Sequence, residues 1–384
     1  MAIYRIFSEK DAFIWSEQQT QNMGRDEILE ISTYNNPEPT EGNLNKIPSA
    51  TRALIYFPQW KIDNAIDRII SHSATAAASW SVDLHLYLAN ASNLSQNVSI
   101  DCHAISQSWT MGTGRLADRP RTTNGVSWTY AQYSGSSSGL YWQTSSFIAG
   151  VTSSDNGIQR GGGNWWRTPS IGQVFSYTSD KDISLAVKPI VVLWHSHSRH
   201  GEVNYQNEGF IVKYTGSQEF NTSSIQQLSY FSMDTHTIYP PNLEFKWKDA
   251  TFDSGSSPYV APNSNFITTI GNLQSEIQDT SIYRFKRYTR DQFPPRSFQT
   301  ASIYLNTKLL PTASYWAMKD VITGEYVVDF SEYTQLSSYP TYNYFEFFAD
   351  GFEPERYYQI LIRTTVGDET IVIDNPDYYF KIVR

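Results

Sequence analysis

Gly209-Phe-Ile-Val-Lys-Tyr214, and further on Leu243-Glu-Phe-Lys-Trp247, read as the return strands that close the first and larger half of this chain. In the first, Phe210, Val212 and Tyr214 alternate with Ile211 and Lys213; in the second, Leu243, Phe245 and Trp247 share one face and Glu244 and Lys246 the other. That period of two is the signature of a pleated strand with one side in a core. Residues 228–233 add a strand between them, and Pro240-Pro241 breaks the chain before the last one. Strands this late in a domain lie beside early ones, so the segment is expected to pair within the first sixty residues.

Working outward, the same alternation recurs at residues 3–7, 12–15, 27–31, 53–57, 82–88, 98–104 and 183–187. Ile62, Ile66, Ile69 and Ile70 fall at helical spacing and predict one short helix over residues 61–72. From residue 112 to 179 the periodicity is weak: Gly, Ser, Thr and Asn are interleaved with tryptophans that, with Trp109 just before them, read as exposed on loops, namely Trp128, Trp142, Trp165 and Trp166. Residues 251–265, rich in Ser, Gly, Asn and Pro, read as a linker. Beyond it the chain is β again, with short strands at 266–270, 282–288, 302–305, 315–318, 326–330, 345–348, 357–363, 370–373 and 378–383. The expected fold class is therefore all-β. A jelly-roll-like sandwich over residues 1–250 would be followed by a smaller immunoglobulin-like sandwich over 251–384, which splits near 300–310 if it comprises two small units.

Composition agrees. Aromatic residues make up 15% of the 384, with 26 Tyr and 11 Trp, and charged residues only 17%, a balance that suits half-buried strands. A net charge of −9 argues against a general nucleic-acid binder. The single cysteine, Cys102, rules out an internal disulfide and places assembly in a reducing cytoplasm. It sits on the apolar face of its strand and reads as inert core. No signal peptide and no membrane span are expected.

Two groups of residues carry a resemblance. Asp26-Glu-Ile-Leu-Glu-Ile31, Arg52-Ala-Leu-Ile-Tyr-Phe57, Leu84-His-Leu-Tyr-Leu88, Ser108-Trp109, Ser127-Trp128 and the closing Asn207-to-Phe245 segment make the first half similar to the DNRLRE-type β-sandwich, a module of bacterial surface and phage virion proteins. Gly351-Phe-Glu-Pro-Glu-Arg-Tyr-Tyr358 and Tyr379-Phe-Lys-Ile-Val-Arg384 resemble the C-terminal region of virion structural proteins from large tailed phages of marine and cyanobacterial hosts. The resemblance implies a structural, non-enzymatic component of a tailed phage particle in the tail, neck or baseplate, assembled in the host cytoplasm. It would act as a homo-oligomer or ring-associated subunit on other virion proteins, with no cofactor. The alternative is a carbohydrate-binding adhesion module on a head or tail fibre, holding host glycan.

Five constellations bear on chemistry. In Trp194-His-Ser-His-Ser-Arg-His200, His195 and His197 would share one face of a strand and could bind a metal with His200, Asp234 or His236; the plainer reading is a polar loop that happens to hold histidines. Trp128, Trp142, Trp165 and Trp166 could stack on sugar faces or fill a subunit contact. Arg284, Lys286, Arg287, Arg290 and Arg296 crowd together with one acid, Asp291, and suit a docking surface for an acidic neighbour or a charge-guarded edge strand. Gly135-Ser-Ser-Ser-Gly139 matches a nucleophile elbow only in form, and Glu353 and Glu355 flank Pro354 in a turn, so neither supports catalysis.

Overall fold

The computed structural model describes residues 2–35, 48–72, 74–135, 139–143, 151–153, 161–176, 178–201, 204–221, 225–293 and 307–384. The expected strand at 302–305, Arg296 and the serines at 136–138 lie outside them. Two compact units result, a larger one from Ile6–Ile66 and Val82–Glu244 and a smaller one from Met1–Arg5, Asp67–Ser81 and Phe245–Arg384. The chain is all-β in sandwich-like, mostly antiparallel sheets, with three short α-helices among the described residues.

Up to residue 247 the strands are β1 (Ala2–Phe7), β2 (Lys10–Trp15), β3 (Ile28–Asn35), β4 (Pro48–Tyr56), β5 (Ser81–Leu86), β6 (Leu88–Ser92), β7 (Asn97–Ile105), β8 (Tyr130–Gln132), β9 (Leu140–Tyr141), β10 (Val151–Ser153), β11 (Asn164–Ser176), β12 (Ile183–Ala186), β13 (Phe210–Tyr214), β14 (Gln226–Phe231) and β15 (Asn242–Trp247). The helices are α1 (Gln59–His72), α2 (Ala74–Ser79) and α3 (Lys188–His200). The central sheet of the larger unit runs β10-β11-β7-β13-β4-β3-β14-β6, with β2 also on β4. The closing strands do return to the start of the chain: β13 pairs Phe210 with Ile55 of β4, and β14 pairs Leu228 with Ile31 of β3. Gly209 makes that return possible, because its φ of 93° suits glycine and a Cβ there would sit 2.3 Å from the Ile55 carbonyl oxygen.

The stretch from 112 to 179 holds more order than its periodicity suggests. β11 is thirteen residues long and pairs antiparallel with β7, for example Phe175 with Val98. Pro169 and Gly172 interrupt its alternation, and most of its outward positions are polar. The loops before β8 are gathered around Asn22, which is fully buried. Its side-chain amide donates to the carbonyls of Met111 and Val126, each at 2.7 Å, and its Oδ1 accepts from the backbone N–H of Gly114 at 2.7 Å and Gly24 at 3.2 Å. All the hydrogen-bonding capacity of one amide is thereby spent on backbone that has no sheet partner.

In the smaller unit the strands are β16 (Phe266–Ile270), β17 (Glu276–Gln278), β18 (Ile282–Asp291), β19 (Thr307–Lys308), β20 (Ser314–Asp320), β21 (Tyr326–Val328), β22 (Ser337–Tyr339), β23 (Tyr342–Phe348), β24 (Tyr357–Val366) and β25 (Glu369–Val383). They form two sheets, one ordered β16-β18-β23-β22 with β19 also on β18, the other β17-β25-β24-β20-β21. Phe285, Phe345, Phe347 and Trp316 meet Ile360, Ile362, Phe380 and Ile382 in the core between them. Rings there sit at edge and offset distances, Trp316 to Phe345 at 4.6 Å and Phe285 to Phe380 at 5.4 Å, which adds directional contact to the area buried. Residues 251–265, read as a linker, are held to this unit: the N–H of Val260 donates to Leu309 O and that of Ser338 to Thr251 O, and Val260 is in the core. Pro and Ser marked an irregular segment correctly, but its backbone found partners.

Candidate docking face and buried charge centres

Strand β18 explains the smaller unit's surface. Its residues alternate, so that Ile282, Arg284, Lys286, Tyr288 and Arg290 point to solvent while Phe285, Arg287 and Thr289 are buried. On β23 the outward set is Tyr342, Tyr344 and Glu346, and register places Glu346 opposite Arg284 and Tyr344 opposite Lys286. Tyr339 of β22 lies opposite Tyr342. The outer face of three adjacent strands is thus a lattice of tyrosine and cation. Arg284 stacks on Tyr344 at 4.6 Å and Lys286 on Tyr342 at 5.2 Å, while Tyr342 contacts Tyr339 at 5.1 Å and Tyr288 at 5.7 Å. Stacking on a ring removes little of a cation's charge and holds its long stem still, so less side-chain entropy remains to be lost on docking. Glu346, 2.6 Å from Arg284, neutralises one cation of the three, and Lys286 and Arg290 leave the face positive.

Arg287 is corrected by the same parity. Composition groups it with the surface cations, but it is only 2% exposed and lies on the inner side of the sheet. Its Nε donates to Thr268 Oγ1 and its guanidinium sits 4.7 Å from the centre of the Tyr378 ring. Nη1 and Nη2 have no partner, and burial draws its pKa down to about 10 against the opposing pull of Tyr378.

The larger unit holds a second buried arginine. Arg52 on β4 is 1% exposed, donates from Nε to Glu219 Oε1 at 2.5 Å and from Nη1 to the Gly162 carbonyl, and lies between the rings of Trp128 at 4.7 Å and Trp165 at 5.1 Å. Lys213 reaches the other oxygen of Glu219 at 3.2 Å and the Trp165 ring at 5.5 Å. Burial raises the Glu219 pKa, but Arg52 and Lys213 together reverse that and hold it below the ordinary value. His103 stands 5.9 Å from Trp165; burial first and Lys213 second push its pKa down to about 4, so it is neutral at pH 7.

This centre also relocates the tryptophans. Trp109, Trp128, Trp142 and Trp165 are buried, where the polar sequence around them predicts exposure on loops. Trp142 donates its Nε1–H to Ser127 O at 3.0 Å and Trp109 to Glu208 O at 2.8 Å, while Trp128 and Trp165 wall in Arg52. Polar sequence around an indole reads as loop, yet here the aromatic faces cover the larger unit's own charges. Trp166 is half-buried and stacks on Tyr205 at 4.8 Å. Exposed aromatic surface lies nearby in sequence instead: Tyr130 contacts Tyr133 at 4.8 Å and Tyr141 at 4.6 Å, and Tyr141 is 59% exposed.

The histidine segment is a helix, not a strand or loop. Pro189 stands in the first turn of α3, and Gly201 closes it in the left-handed conformation with its N–H on the His197 carbonyl. Ile190, Val191, Trp194 and His195 form the buried stripe. Residues two apart lie about 200° around a helix, so His195 and His197 point apart and do not form the expected pair of ligands. His195 and His200 approach to 6.4 Å between rings, and among the described residues no group of three His, Cys, Asp or Glu is placed to hold a metal. Asp234 is instead 2.9 Å from Arg25.

Signals for these centres were partly present. Lys188-Pro189 at one end, His197-Ser-Arg-His200 in the last turn and Gly201 at the other are start and stop marks of a helix. No local signal pointed to Glu219 as a charge centre, because its partner Arg52 lies far away in sequence. A comparison with protein-family models finds no match, and a comparison with curated proteins finds none either.

Proposed function

We propose that this protein is a structural, non-enzymatic component of a tailed phage particle, placed in the tail, neck or baseplate, and that it acts by assembly. The observation that carries the assembly reading is the outer face of β18, β23 and β22: ordered tyrosines with Arg284, Lys286 and Arg290 among them, on a chain whose net charge is −9. Tyrosine and arginine are the residues that interfaces enrich, since each offers area or forked donors at low entropic cost. A positive face on an acidic protein selects acidic neighbours and repels little of what it must meet. The virion setting rests on the resemblance of the Arg52-to-Phe57, Leu84-to-Leu88 and Gly351-to-Tyr358 segments to phage structural proteins. A jelly-roll-like larger unit and an immunoglobulin-like smaller one belong to the same proposal.

A mass-spectrometric inventory of purified particles tests the setting, and the doubly reversed variant Arg284→Glu with Lys286→Glu tests the face. The chain is expected in the particle, and the reversed variant is expected to fold normally and be left out. Absence of the wild-type chain from particles, or full incorporation of the variant, would overturn the proposal.

A second reading, adhesion to host glycan, is favoured by one observation. Tyr130, Tyr133 and Tyr141 form a contiguous aromatic patch, with the Tyr130 and Tyr141 hydroxyls 3.3 Å apart, so a sugar face and its hydroxyls could be met together. Saturable binding on a glycan array, lost in Tyr141→Ala, would move the weight to this reading.

A further inference from the structure

We propose that Tyr130 and Tyr141 form a site of oxidative coupling, in which the two phenols join through a carbon–carbon bond between ring positions ortho to their hydroxyls. The product is a dityrosine staple across the β8–β9 pair. It rests on neither the assembly reading nor the glycan reading.

Register sets the two rings opposite each other, since Tyr130 of β8 is the cross-strand partner of Tyr141 of β9. Both stretches of backbone are anchored. The N–H of Tyr130 donates to Ser127 Oγ at 3.1 Å and its carbonyl accepts from the N–H of Ser127 at 2.8 Å, while the carbonyl of Tyr141 accepts from the Gln107 side chain at 2.9 Å. Tyr133 stacks on Tyr130 at 4.8 Å, and a Cβ on Gly139 would sit 2.6 Å from the Tyr130 ring and 2.7 Å from the Tyr133 ring, so bare backbone presses on both. The rings of Tyr130 and Tyr141 are 4.6 Å apart at their centres but 3.3 Å apart at their hydroxyl oxygens. They therefore converge toward the hydroxyl end, beside which the reacting ortho carbons lie. Tyrosine pairs of the smaller unit stand wider, Tyr339 to Tyr342 at 5.1 Å and Tyr357 to Tyr379 at 6.1 Å.

The chemistry needs a one-electron oxidant, which hydrogen peroxide acting through a peroxidase supplies. Each phenol gives up one electron and its hydroxyl proton. The two phenoxyl radicals pair their electrons in a bond between ortho carbons, and the hydrogens on those carbons then move to the oxygens and restore both rings. Two hydrogen atoms leave in all, and one peroxide takes them to become two waters. Because the partners are already in contact, the coupling is unimolecular and outpaces coupling between chains. Tyr141 is 59% exposed, so an oxidant reaches the pair, whereas the one thiol, Cys102, is buried. The staple has something to add here: β8 has three residues and β9 two, and a two-stranded pair of that size is marginal alone. A bridge between positions eleven apart removes chain entropy from the opened state, as a disulfide does.

The test treats dilute full-length protein with a haem peroxidase and limiting hydrogen peroxide, and follows dityrosine fluorescence, mobility on a denaturing gel and mass. Chymotryptic cleavage after Tyr133 and Leu140 separates the two strands, so the bridge leaves their peptides joined and two hydrogen atoms lighter than their sum. The expected first product runs as a single chain with Tyr130 joined to Tyr141. Tyr141→Phe is expected to lose that fluorescence and Tyr133→Phe to keep it. In the coupled chain the backbone amides of residues 130–132 and 140–141 are expected to exchange with deuterium more slowly. No coupling, first coupling at another tyrosine pair or between chains, fluorescence retained in Tyr141→Phe or lost in Tyr133→Phe, or unchanged exchange in the coupled chain would overturn the proposal. The wild-type peptide map reads the site even where a variant fails to fold.

Discussion

Arg52 and Arg287 are the same side chain at nearly the same depth in two different units, and their surroundings are built on opposite plans. Arg52 is 1% exposed and meets a carboxylate, a carbonyl and two indole faces, while Lys213 takes the carboxylate's second oxygen. Arg287 is 2% exposed and meets one hydroxyl and one phenol ring, with both terminal nitrogens unpaired. Burial alone therefore says little about what an arginine does. The first is a strut whose charge is spent on a carboxylate inside the fold; the charge of the second meets only a hydroxyl and a ring face. Removing either partner of a buried pair leaves an uncompensated charge behind, whereas removing a charge that was never compensated relieves a cost.

The largest effect should come from breaking the strut. Glu219→Gln leaves Arg52 and Lys213 without their shared carboxylate, and chemical denaturation is expected to show a loss of about 3–5 kcal/mol. A loss under about 1 kcal/mol would show that the two centres differ less than their geometry implies. Next is the titration of His103, which flanks the strut. Its folded pKa, about 4, lies below its ordinary 6.5, so the unfolded chain binds the proton first as pH falls. Stability is then full above pH 6.5 and declines as pH drops from 6.5 toward 4, by roughly 3 kcal/mol. His103→Gln should flatten that part of the stability-against-pH curve, and an unchanged slope would sink the assignment.

A smaller effect of opposite sign is expected at the other arginine. Arg287→Met should leave stability unchanged or raise it by about 1–2 kcal/mol, since an aliphatic chain of similar length replaces a buried charge without a counter-ion. Should it instead cost as much as Glu219→Gln, the contrast between the two centres fails. Smallest is Arg284→Gln on the exposed sheet face. Its ion pair with Glu346 is half exposed, and the change in stability should fall within about 0.5 kcal/mol by the same measurement. That near-silence is what makes Arg284 usable as a probe of docking.

The sequence carried this contrast unevenly. Alternation alone identified β13, β15, β18 and β5, because a strand with one wet face must write its period into the chain. The same parity that put Arg284 and Lys286 together also put Arg287 on the other side, so its burial was legible to anyone counting by twos. What hid it was composition: a run of cations reads as surface until each is assigned a face. Helix α3 was concealed for a different reason, since its apolar stripe spans only Ile190 to Trp194 before histidine and serine take over, and its boundaries were marked by Pro189 and Gly201 instead. The tryptophans of the weakly periodic stretch were the hardest. The burial of Trp128 and Trp165 depends on Arg52 and Lys213 arriving from distant strands, and no local window contains that information.

Asn22 carries a consequence for how that stretch opens. A single amide ties Gly24, Met111, Gly114 and Val126 together, and Gly112 and Gly125 pack so closely beside it that a Cβ on Gly112 would lie 2.4 Å from the Asn22 Oδ1. Segments separated by about a hundred positions therefore cannot fray one at a time. Their backbone amides should exchange with deuterium as one block, at one rate, as a clasp releases everything it fastens when its pin is drawn.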